Sequence, residues 1–491
     1  MEKSYQHAGF VSRTGRTKIV ATVGPASSSP EMLRRLIETG VDVFRLNFSH
    51  GTHEEHSAVV ESIRKVSAEL GQNVAILQDL CGPKFRLGPI PGDVVECLSG
   101  ETFTLVTESA GTDPHELTCT YTDLPNDLQT GELVLFADGM VVMEVIATSP
   151  GRAEMRVTLP GRLRSRQGIN LPGSQLKVPA LTEKDLADLN WTAKYPDDVQ
   201  FVGLSFVRSP DDVHQLRREL AERNCNARII VKIEKPQAVE RLDEIVAATD
   251  AVMVARGDLG VEMDIYRVPT IQKQVIAMCN ALHRPVITAT QMLNSMEQSN
   301  RPTRAEASDV FNAVVDGTDA VMLSGESAIG NYPVETVDMM RRICEEAEGY
   351  LDATPHAQLN LPNATLQGLV QPISKAMVDA ACLACEELKS PLIVVLTATG
   401  RTALAISNRR PSATILALTP SDQTAKALSL CWGVTSLTSP DCAVNEQEVE
   451  NAITWAMSQG LIKVNQHVII VRSELPGDPP SRTVHIKQVV S

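Results

Sequence analysis

Short apolar runs alternate with helix-like segments along most of this 491-residue chain, and this alternation constrains the fold more than any other feature. The runs are rich in Val, Ile and Ala, which is typical of parallel strands covered by helices on both faces. Eight of them are predicted, at 18–23, 41–47, 74–79, 199–205, 229–234, 251–255, 285–290 and 320–323. Eight strand–helix units favour an α/β fold of the (β/α)8 TIM-barrel type, whose active site lies at the carboxyl ends of the strands. The alternative, an open doubly wound sheet, lacks a GxGxxG after the first run.

Residues 80–198 interrupt the barrel pattern between the third and fourth runs, over a length far beyond an ordinary loop. Short strand-like runs at 103–106, 132–135, 140–146 and 153–159 are separated by Gly, Pro and Asp turns. They predict an all-β domain inserted after strand 3. We interpret it as a lid over the active face, because both of its ends join the barrel there. A passive decoration is the alternative.

A second α/β pattern follows the barrel. The polar, proline-bearing segment 352–371 is interpreted as a linker, and helices and strands alternate again from 373 to 489. The predicted domains are a barrel formed by 1–82 and 179–351, the inserted β-barrel domain 83–178 and a C-terminal α/β domain 352–491 for effectors and oligomerisation.

The net charge of −15 argues against general binding to nucleic acid or to an anionic membrane. No apolar run approaches the roughly 20 residues of a membrane span. The 10 cysteines are scattered, and the CxxC of Cys382 and Cys385 is interpreted as part of a helix packed into the core. We therefore expect a cytoplasmic protein without a nucleic-acid or membrane partner.

Polar residues stand where the apolar runs stop. Lys232 and Glu234 are two residues apart and share one face of the fifth strand, and Asp258 follows the sixth. Mg²⁺ prefers carboxylate oxygens and usually takes only one or two from the protein. An ammonium beside them can stabilise a transferring phosphoryl group or an enolate. A buried Lys–Glu pair can also be purely structural, but its place at a strand end favours function.

Four other strand ends add polar residues. Arg45, Asn47 and Ser49 alternate with apolar residues along the second strand, which leads to His50, and Arg45 offers a fork suited to phosphate. The third, seventh and eighth ends contribute Asp79, Lys84, Arg86, Thr288, Thr290, Ser324 and Glu326. Six converging strand ends of this composition predict an enzyme that handles phosphate and a divalent metal.

Six motifs closely resemble the pyruvate kinase family, in order and across the chain: RLNFSHG, VKIE, MVARGDLG, ATQML, NRPTRAE and MLSGESAIGNYPVE. The resemblance implies transfer of phosphoryl from phosphoenolpyruvate to ADP, giving pyruvate and ATP in the last step of glycolysis. It also implies Mg²⁺ or Mn²⁺ as cofactor, a mobile inserted domain, a C-terminal domain with effector sites and a homotetramer.

The resemblance carries roles to individual residues. Glu234 and Asp258 match the metal ligands, Lys232 the group that stabilises the phosphoryl and enolate charge, and Arg45 the phosphoryl-binding arginine. The family's binding positions for the phosphoenolpyruvate carboxylate match Gly257, Asp258 and Thr290. Its nucleotide-contacting positions match Asn47, His50, Arg86 and Arg166. Water near Thr290 and Ser324 would protonate the enolate.

The family's K⁺ site is altered in this sequence. Its ligands match Asn47, Ser49, Asp79 and the carbonyl at Leu80, but the family's common form has Thr at position 80 and Glu at position 84. Leu80 and Lys84 resemble the potassium-independent members. We expect the Lys84 ammonium to take the cation's place beside Asp79, so that K⁺ is not required. The alternative is that Lys84 points into solvent.

A loop before a C-terminal helix resembles the family's sugar-phosphate effector loop. It contains Thr397, Thr399, Gly400, Arg401 and Thr402, whose amides and hydroxyls could cradle a phosphate. An ordinary capped loop is the alternative. The other half of the family's bisphosphate site reads Ser473–Ser481 here, with two acids and three prolines. This disfavours fructose 1,6-bisphosphate and leaves a monophosphate sugar or nucleotide effector, or none.

Two competing functions remain. Another phosphoenolpyruvate- or pyruvate-handling TIM-barrel enzyme would need neither the inserted β domain nor ADP. An inactive regulatory homologue would have lost Lys232, Glu234, Asp258 or Arg45, and all four are present.

Overall fold

The described chain begins with two strand–helix units and a third strand. The computed structural model describes residues 15–172, 178–354, 372–439, 442, 446–472 and 482–490. The first elements are β1 (Lys18–Thr22), α1 (Pro30–Thr39), β2 (Val43–Asn47), α2 (His53–Leu70) and β3 (Ala75–Asp79). Helix α1 begins after Ser29, whose side chain accepts from the Met32 amide, and ends at Gly40 with φ 138°. A Thr52–Glu55 capping box begins α2.

The insertion after β3 is an all-β domain, as predicted. Its elements are β4 (Phe85–Arg86), β5 (Val94–Cys97), β6 (Thr102–Val106), β7 (Glu116–Leu117), α3 (Leu124–Asp127), β8 (Leu133–Phe136), β9 (Val141–Ser149), β10 (Arg152–Leu159), β11 (Gly161–Arg164) and β12 (Gly168–Asn170). Seven strands form one sheet in the order β4-β12-β8-β9-β10-β6-β7, and β11 pairs with β5. Buried residues alternate with exposed ones along β10, so one face of the sheet packs on a core that includes Phe103, Phe136 and Met155.

The chain then returns to the barrel. The elements are α4 (Glu183–Thr192), β13 (Phe201–Leu204), α5 (Pro210–Glu222), β14 (Arg228–Ile233), α6 (Pro236–Glu240), α7 (Leu242–Ala248), β15 (Ala251–Ala255), α8 (Arg256–Glu262), α9 (Val268–Ala281), β16 (Val286–Ala289), α10 (Arg304–Val315), β17 (Ala320–Leu323), α11 (Gly325–Ala328) and α12 (Pro333–Ala353). Two 3-10 turns, Ile265–Arg267 and Asn294–Glu297, join them.

Eight parallel strands close the barrel in the order β1-β17-β16-β15-β14-β13-β3-β2. This confirms the predicted TIM barrel. Its interior is filled by small and branched side chains, including Val20, Leu77, Ile230 and Ala251. Because the strands are parallel, their carboxyl ends meet at one mouth, next to both junctions with the inserted domain.

The C-terminal domain is a separate α/β unit, also as predicted. It contains α13 (Pro372–Glu387), β18 (Leu392–Leu396), α14 (Arg401–Ser407), β19 (Thr414–Thr419), α15 (Asp422–Ala427), β20 (Val434–Thr438), α16 (Glu446–Ser458), β21 (His467–Arg472) and β22 (Thr483–Gln488), with a 3-10 turn at Leu428–Leu430. Its five-stranded sheet has the order β20-β19-β18-β21-β22.

The C-terminal domain packs against the amino-terminal end of the barrel. Ala427 and Leu430 join the cluster that fills the barrel interior. The Trp432 ring lies between two guanidinium groups, 5.0 Å from that of Arg16 and 4.8 Å from that of Arg410. The domain boundaries at 82/83, 178/179 and 351/352 stay predictions, and most of the predicted linker, like the loop Ser473–Ser481, lies outside the described residues.

Nine of the 10 cysteines are buried. All 10 are free thiols, and Cys382 and Cys385 are buried in the core of the C-terminal domain. Burial raises the pKa of Cys382 to about 12 and that of Cys385 to about 11, so both stay protonated near neutral pH. In the described part of the chain, no helix has the length and apolarity needed to cross a bilayer.

Candidate active site

Lys232 lies at the barrel mouth among carboxylates. Strand β14 brings it beside β15, and its Nζ is 2.8 Å from Glu234 Oε1 and 3.6 Å from Asp79 Oδ1. It also donates to Ser205 Oγ at 2.9 Å. Burial alone would lower the pKa of Lys232, but the nearby carboxylates, Asp79 first, raise it above its usual value. The side chain is therefore protonated near neutral pH.

The carboxylate of Glu234 is fully buried beside that lysine. Its Oε2 accepts the Phe206 amide at 2.8 Å, while its Oε1 faces Lys232 without a well-oriented hydrogen bond. Burial raises the pKa of Glu234 more than Lys232 lowers it, and the negative charge of Asp258 adds to the rise. A bound cation would stabilise the ionised form of Glu234.

The donor set fits a divalent cation that completes its shell with substrate. No group of three or more His, Cys, Asp or Glu side chains is arranged as a metal cage within the described residues. Two protein carboxylates plus substrate oxygens and water are what Mg²⁺ usually takes, so Glu234 and Asp258 are sufficient.

Arg45 and Asp79 form the second charged pair of the mouth. Arg45 Nε donates to Asp79 Oδ2 at 2.7 Å, and Arg45 Nη1 donates to Thr22 Oγ1 at 3.1 Å. Burial would raise the pKa of Asp79, but the cations of Lys232 and Arg45 lower it below its usual value. Asp79 thus stays ionised and holds Nε and Nη2 of the guanidinium at the rim, while Nη1 is the nitrogen that does not contact it.

The expected contact between Lys84 and Asp79 is not formed. Within the described residues, the cations that contact Asp79 are Arg45 and Lys232, whereas Lys84 is exposed and lines the cleft below the inserted domain. The reason is the path of the chain. Lys84 lies between the turn at Gly82 and the start of β4, where the chain leaves the barrel rim for the inserted domain. The other residues of the altered K⁺ site are close together, because Asn47 pairs with Asp79 across β2 and β3 and the Ser49 amide donates to Asn47 Oδ1 at 3.1 Å.

The Leu80 carbonyl, expected to belong to that site, already has a donor. Ser205 Oγ donates to it at 2.8 Å, and the Leu80 side chain is buried in the barrel wall. Ser205 is not found by sequence reasoning, because a lone serine after a strand carries no motif.

Thr290 and Gly257 are joined directly. The Gly257 amide donates to Thr290 Oγ1 at 2.7 Å, so the predicted carboxylate-binding groups of the sixth and seventh strand ends meet. Thr290 and Gln291 both have left-handed backbones, with φ 68° and 53°. Arg256 supports this strained turn, since its Nη2 donates to the Thr290 carbonyl at 2.7 Å. Sequence reasoning missed Arg256, although it directly precedes Gly257.

The remaining strand-end residues divide between the reaction site and the scaffold. Ser324 Oγ is buried and, among the described residues, has no hydrogen-bond partner. Glu326 instead serves the fold, because its carboxylate accepts the amides of Leu293 at 3.1 Å and Ser324 at 2.7 Å. Thr288 is also internal and donates to Thr318 Oγ1 at 3.0 Å.

The residues matched to the nucleotide belong to two different domains. Asn47 and the exposed His50 end β2 on the barrel, whereas Arg86 and Arg166 belong to the inserted domain. The latter two are neighbours, since Arg86 Nη1 donates to the Arg166 carbonyl at 3.2 Å.

An ion pair of the barrel that the sequence did not reveal accepts a hydrogen bond from the inserted domain. Lys235 Nζ lies 2.6 Å from Glu262 Oε1, to which Asn170 of the inserted domain also donates at 3.4 Å.

The predicted effector loop has an ordered turn. The Gly400 amide donates to Thr397 Oγ1 at 3.0 Å, and Gly400 has φ 83° directly before Arg401 begins α14. Arg228, at the first residue of β14, donates from Nη2 to the Thr399 carbonyl at 3.0 Å. The loop is therefore in contact with the strand that carries Lys232 at its other end.

Two family models match the chain. One, described as "Pyruvate kinase, barrel domain", matches residues 14–337, and the other, "Pyruvate kinase, alpha/beta domain", matches residues 375–482. A pyruvate kinase of Agrobacterium vitis is 42% identical over 466 residues, which cover 94% of this chain and 96% of the relative. A pyruvate kinase of Staphylococcus aureus is 41% identical over 94% of this chain and 78% of the relative.

A solved structure has the same architecture. The crystal structure of a pyruvate kinase from Cryptosporidium parvum superposes with a TM-score of 0.89 at 34% identity, covering 96% of both chains. The likeness extends over the barrel, the inserted domain and the C-terminal domain.

Proposed function

The chain belongs to the pyruvate kinase family, whose reaction transfers phosphoryl from phosphoenolpyruvate to ADP, and we propose that Lys232, Glu234, Asp258 and Arg45 carry that reaction here. The observation that most supports the assignment is the buried ammonium of Lys232, held 2.8 Å from Glu234 and 3.6 Å from Asp79 at the carboxyl ends of barrel strands. Phosphoryl transfer requires positioning and charge neutralisation more than covalent help from the protein.

Lys232 faces the transferring group as a fixed positive charge. Its raised pKa keeps it protonated, so it stabilises charge on the phosphoryl oxygens and then on the enolate of pyruvate. Arg45 binds the phosphoryl group with Nη1, which does not contact Asp79 and donates to Thr22 Oγ1.

The family generally uses Mg²⁺, and Glu234 and Asp258 would hold it, or Mn²⁺. When bound, the ion neutralises negative charge on substrate oxygens. The raised pKa of Glu234 supports this role, because Lys232 alone does not offset the cost of burying its charge, and a bound cation would stabilise the ionised form.

The carboxylate of phosphoenolpyruvate would bind the backbone amides of Gly257 and Asp258 and the hydroxyl of Thr290. The contact between Gly257 and Thr290 supports this, since it already brings these donors together. A water held between Thr290 and Ser324 would protonate the enolate at carbon. The unpartnered Ser324 hydroxyl, within the described part of the chain, is suited to orient it.

ADP would bind across the cleft, between Asn47 and His50 on one wall and Arg86 and Arg166 on the other. Because the two arginines belong to the inserted domain, its closure would bring them to the phosphates and exclude water.

Three further properties are proposed from the family and the sequence. K⁺ is not required, because Lys84 brings a tethered ammonium to the substrate cleft even though it does not contact Asp79. A sugar phosphate or nucleotide effector would bind the loop of Thr397, Thr399, Gly400, Arg401 and Thr402. The enzyme works as a homotetramer in the cytoplasm, at the last step of glycolysis.

A coupled assay tests the function. Pyruvate formation from phosphoenolpyruvate is followed by NADH oxidation through added lactate dehydrogenase, with and without ADP and Mg²⁺. We expect a rate that needs all three components. Turnover of phosphoenolpyruvate without ADP would indicate another phosphoenolpyruvate-handling barrel enzyme, and no turnover under any condition would indicate an inactive homologue.

A further inference from the structure

Two chain crossings connect the inserted domain to the barrel. The exit crossing, residues 80–84, follows β3, and the return crossing, residues 178–182, precedes α4. They are distant in sequence, yet both contact the same side chain, Asp185, in the first turn of α4. Asp185 is completely buried.

Each carboxylate oxygen of Asp185 serves a different crossing. Oδ1 accepts the Gly82 amide of the exit crossing at 3.1 Å. Oδ2 accepts the Thr182 amide at 2.8 Å and the Thr182 hydroxyl at 2.6 Å in the return crossing. The Thr182–Asp185 pair is also the capping box of α4, so the helix anchors both crossings to the barrel.

The exit crossing has little freedom to move around this anchor. Gly82 has φ 64°, and a Cβ there would lie 2.8 Å from the Phe206 ring and 3.0 Å from Ser205 Cβ. Phe206 in turn donates its amide to Glu234. The position of the crossing is therefore coupled to the wall that carries the proposed metal ligand.

The same crossing is connected to Lys232. The Leu80 carbonyl accepts from Ser205 Oγ at 2.8 Å, and Ser205 Oγ accepts from Lys232 Nζ at 2.9 Å. These two hydrogen bonds hold the start of the exit crossing at Leu80 to the barrel wall.

We propose that Asp185 is a positioning residue that clasps both crossings, so that the inserted domain pivots from a fixed base and delivers its nucleotide-facing arginines in register with the barrel. The inference rests on the proposed binding of ADP across the cleft. The contacts of Asp185 should therefore influence the affinity for the nucleotide. They should not influence the affinity for phosphoenolpyruvate, because the residues proposed to bind it all lie on the barrel.

The chemistry of the clasp requires a carboxylate. Three donors converge on two acceptor oxygens, and an asparagine offers only one acceptor. In Asp185→Asn, the amide NH₂ must face either the Gly82 amide or the Thr182 donors, so one crossing is released and a buried donor is left without a partner.

Asp212 provides a matched control. It occupies the same N3 position of the capping box of α5, where it accepts the Ser209 amide at 3.1 Å and the Arg208 amide at 2.9 Å. Asp212→Asn therefore weakens a helix cap of the same type on the same barrel, without touching the exit crossing.

The test compares steady-state kinetics of the two full-length variants with wild type. For Asp185→Asn we expect the KM for ADP to rise about tenfold, the effect of losing one hydrogen bond to a charged group, while the KM for phosphoenolpyruvate stays within about twofold. Asp212→Asn should leave both KM values within about twofold. Equal rises of both KM values, or a response that matches the control, would overturn the inference. An inactive wild type would instead refute the proposed function.

Hydrogen exchange gives a second readout that does not need activity. The Gly82 amide is protected by Asp185, so the peptide that contains it should exchange faster in Asp185→Asn and at the wild-type rate in Asp212→Asn. If Asp185→Asn does not fold, Thr182→Ala removes the hydroxyl's bonds to the carboxylate and the amide of Asp185 but keeps the Gly82 contact, and it should still raise the KM for ADP about threefold. Unchanged exchange at Gly82, or an unchanged KM for ADP in the folded variants, would contradict the clasp.

Discussion

The substitution Lys232→Met removes a buried ammonium and keeps most of the side-chain volume. In the wild type, Nζ lies 2.8 Å from Glu234 and donates to Ser205 at 2.9 Å, so its position is fixed before substrate arrives. A unit charge about 4 Å from a developing negative charge contributes about 4 kcal/mol at an effective dielectric constant near 20. Removal of one such preorganised donor typically lowers kcat about 100-fold to 1,000-fold.

The loss should fall on kcat and not on binding. The ammonium gains its value chiefly as charge develops in the transition state, so the dissociation constant for phosphoenolpyruvate should stay within about threefold. The substitution also removes a charge that lowers the pKa of Asp79 and of Glu234, so both carboxylates should protonate at higher pH in the variant. The assay is therefore run near pH 8 with saturating Mg²⁺, which separates the loss of the lysine from the loss of metal.

Lys65→Met is the control, because Lys65 is exposed on α2, away from the mouth. It should leave kcat unchanged, and the unfolding transition of each variant should be measured to exclude loss of the fold. If Lys232→Met keeps more than about a tenth of the wild-type kcat, the reasoning about a transition-state charge is refuted.

Four further predictions concern the metal, pH, the effector and K⁺. Glu234→Gln and Asp258→Asn should each raise the Mg²⁺ concentration for half-maximal rate about tenfold or more, since each removes an anionic ligand, and titrations that overlay the wild type would move the metal elsewhere. The pKa of Glu234 is raised, and a metal ion binds only its ionised form. At low Mg²⁺ the rate should therefore fall on acidification while the pH is still above glutamate's ordinary pKa of about 4.3, and added Mg²⁺ should shift this fall to lower pH. A fall in rate whose pH does not depend on Mg²⁺ would contradict this. Arg401→Glu should blunt activation by a sugar phosphate without changing the basal rate, an idea that fails if no phosphorylated metabolite alters the wild-type saturation curve. Wild type should be as active in tetramethylammonium buffer as in about 100 mM KCl, and Lys84→Glu should be severely impaired; tenfold or greater stimulation of wild type by K⁺ would show that Lys84 does not replace the cation.

The barrel was predictable because its strands are buried on both faces and are therefore rich in Val, Ile and Ala along their length. The predicted boundaries differ from the structure by one or two residues where polar residues at strand starts take other roles. Asp42, for example, precedes β2 and accepts the Ile19 amide at 2.9 Å. In the inserted domain, β4, β5, β7, β11 and β12 were missed, since two to four residues are too few for a visible alternation.

The charged residues of the mouth were also predictable, because parallel strands must end together. The structure brings Lys232, Glu234, Asp79 and Arg45 into direct contact. The direction of a loop side chain was not predictable. Lys84 lies where the exit crossing places it, and it does not contact the Asp79 carboxylate.

The supporting hydrogen bonds were invisible in the sequence for a different reason. Arg256, Ser205 and Asp185 act on backbone groups that are between 33 and 125 residues away, and no local pattern records such pairings. Asp185 carried only the local signal of a capping box, and its contact with Gly82 appears only when the return crossing lies beside the exit crossing.

Phosphorus NMR of the wild-type protein with phosphoenolpyruvate, ADP and Mg²⁺ follows the transferred phosphoryl group itself. We expect the phosphoenolpyruvate signal to decay only when ADP is present, and the γ-phosphate signal of ATP to grow in equal amount. Release of inorganic phosphate in place of ATP, or decay without ADP, would contradict phosphoryl transfer at this barrel mouth.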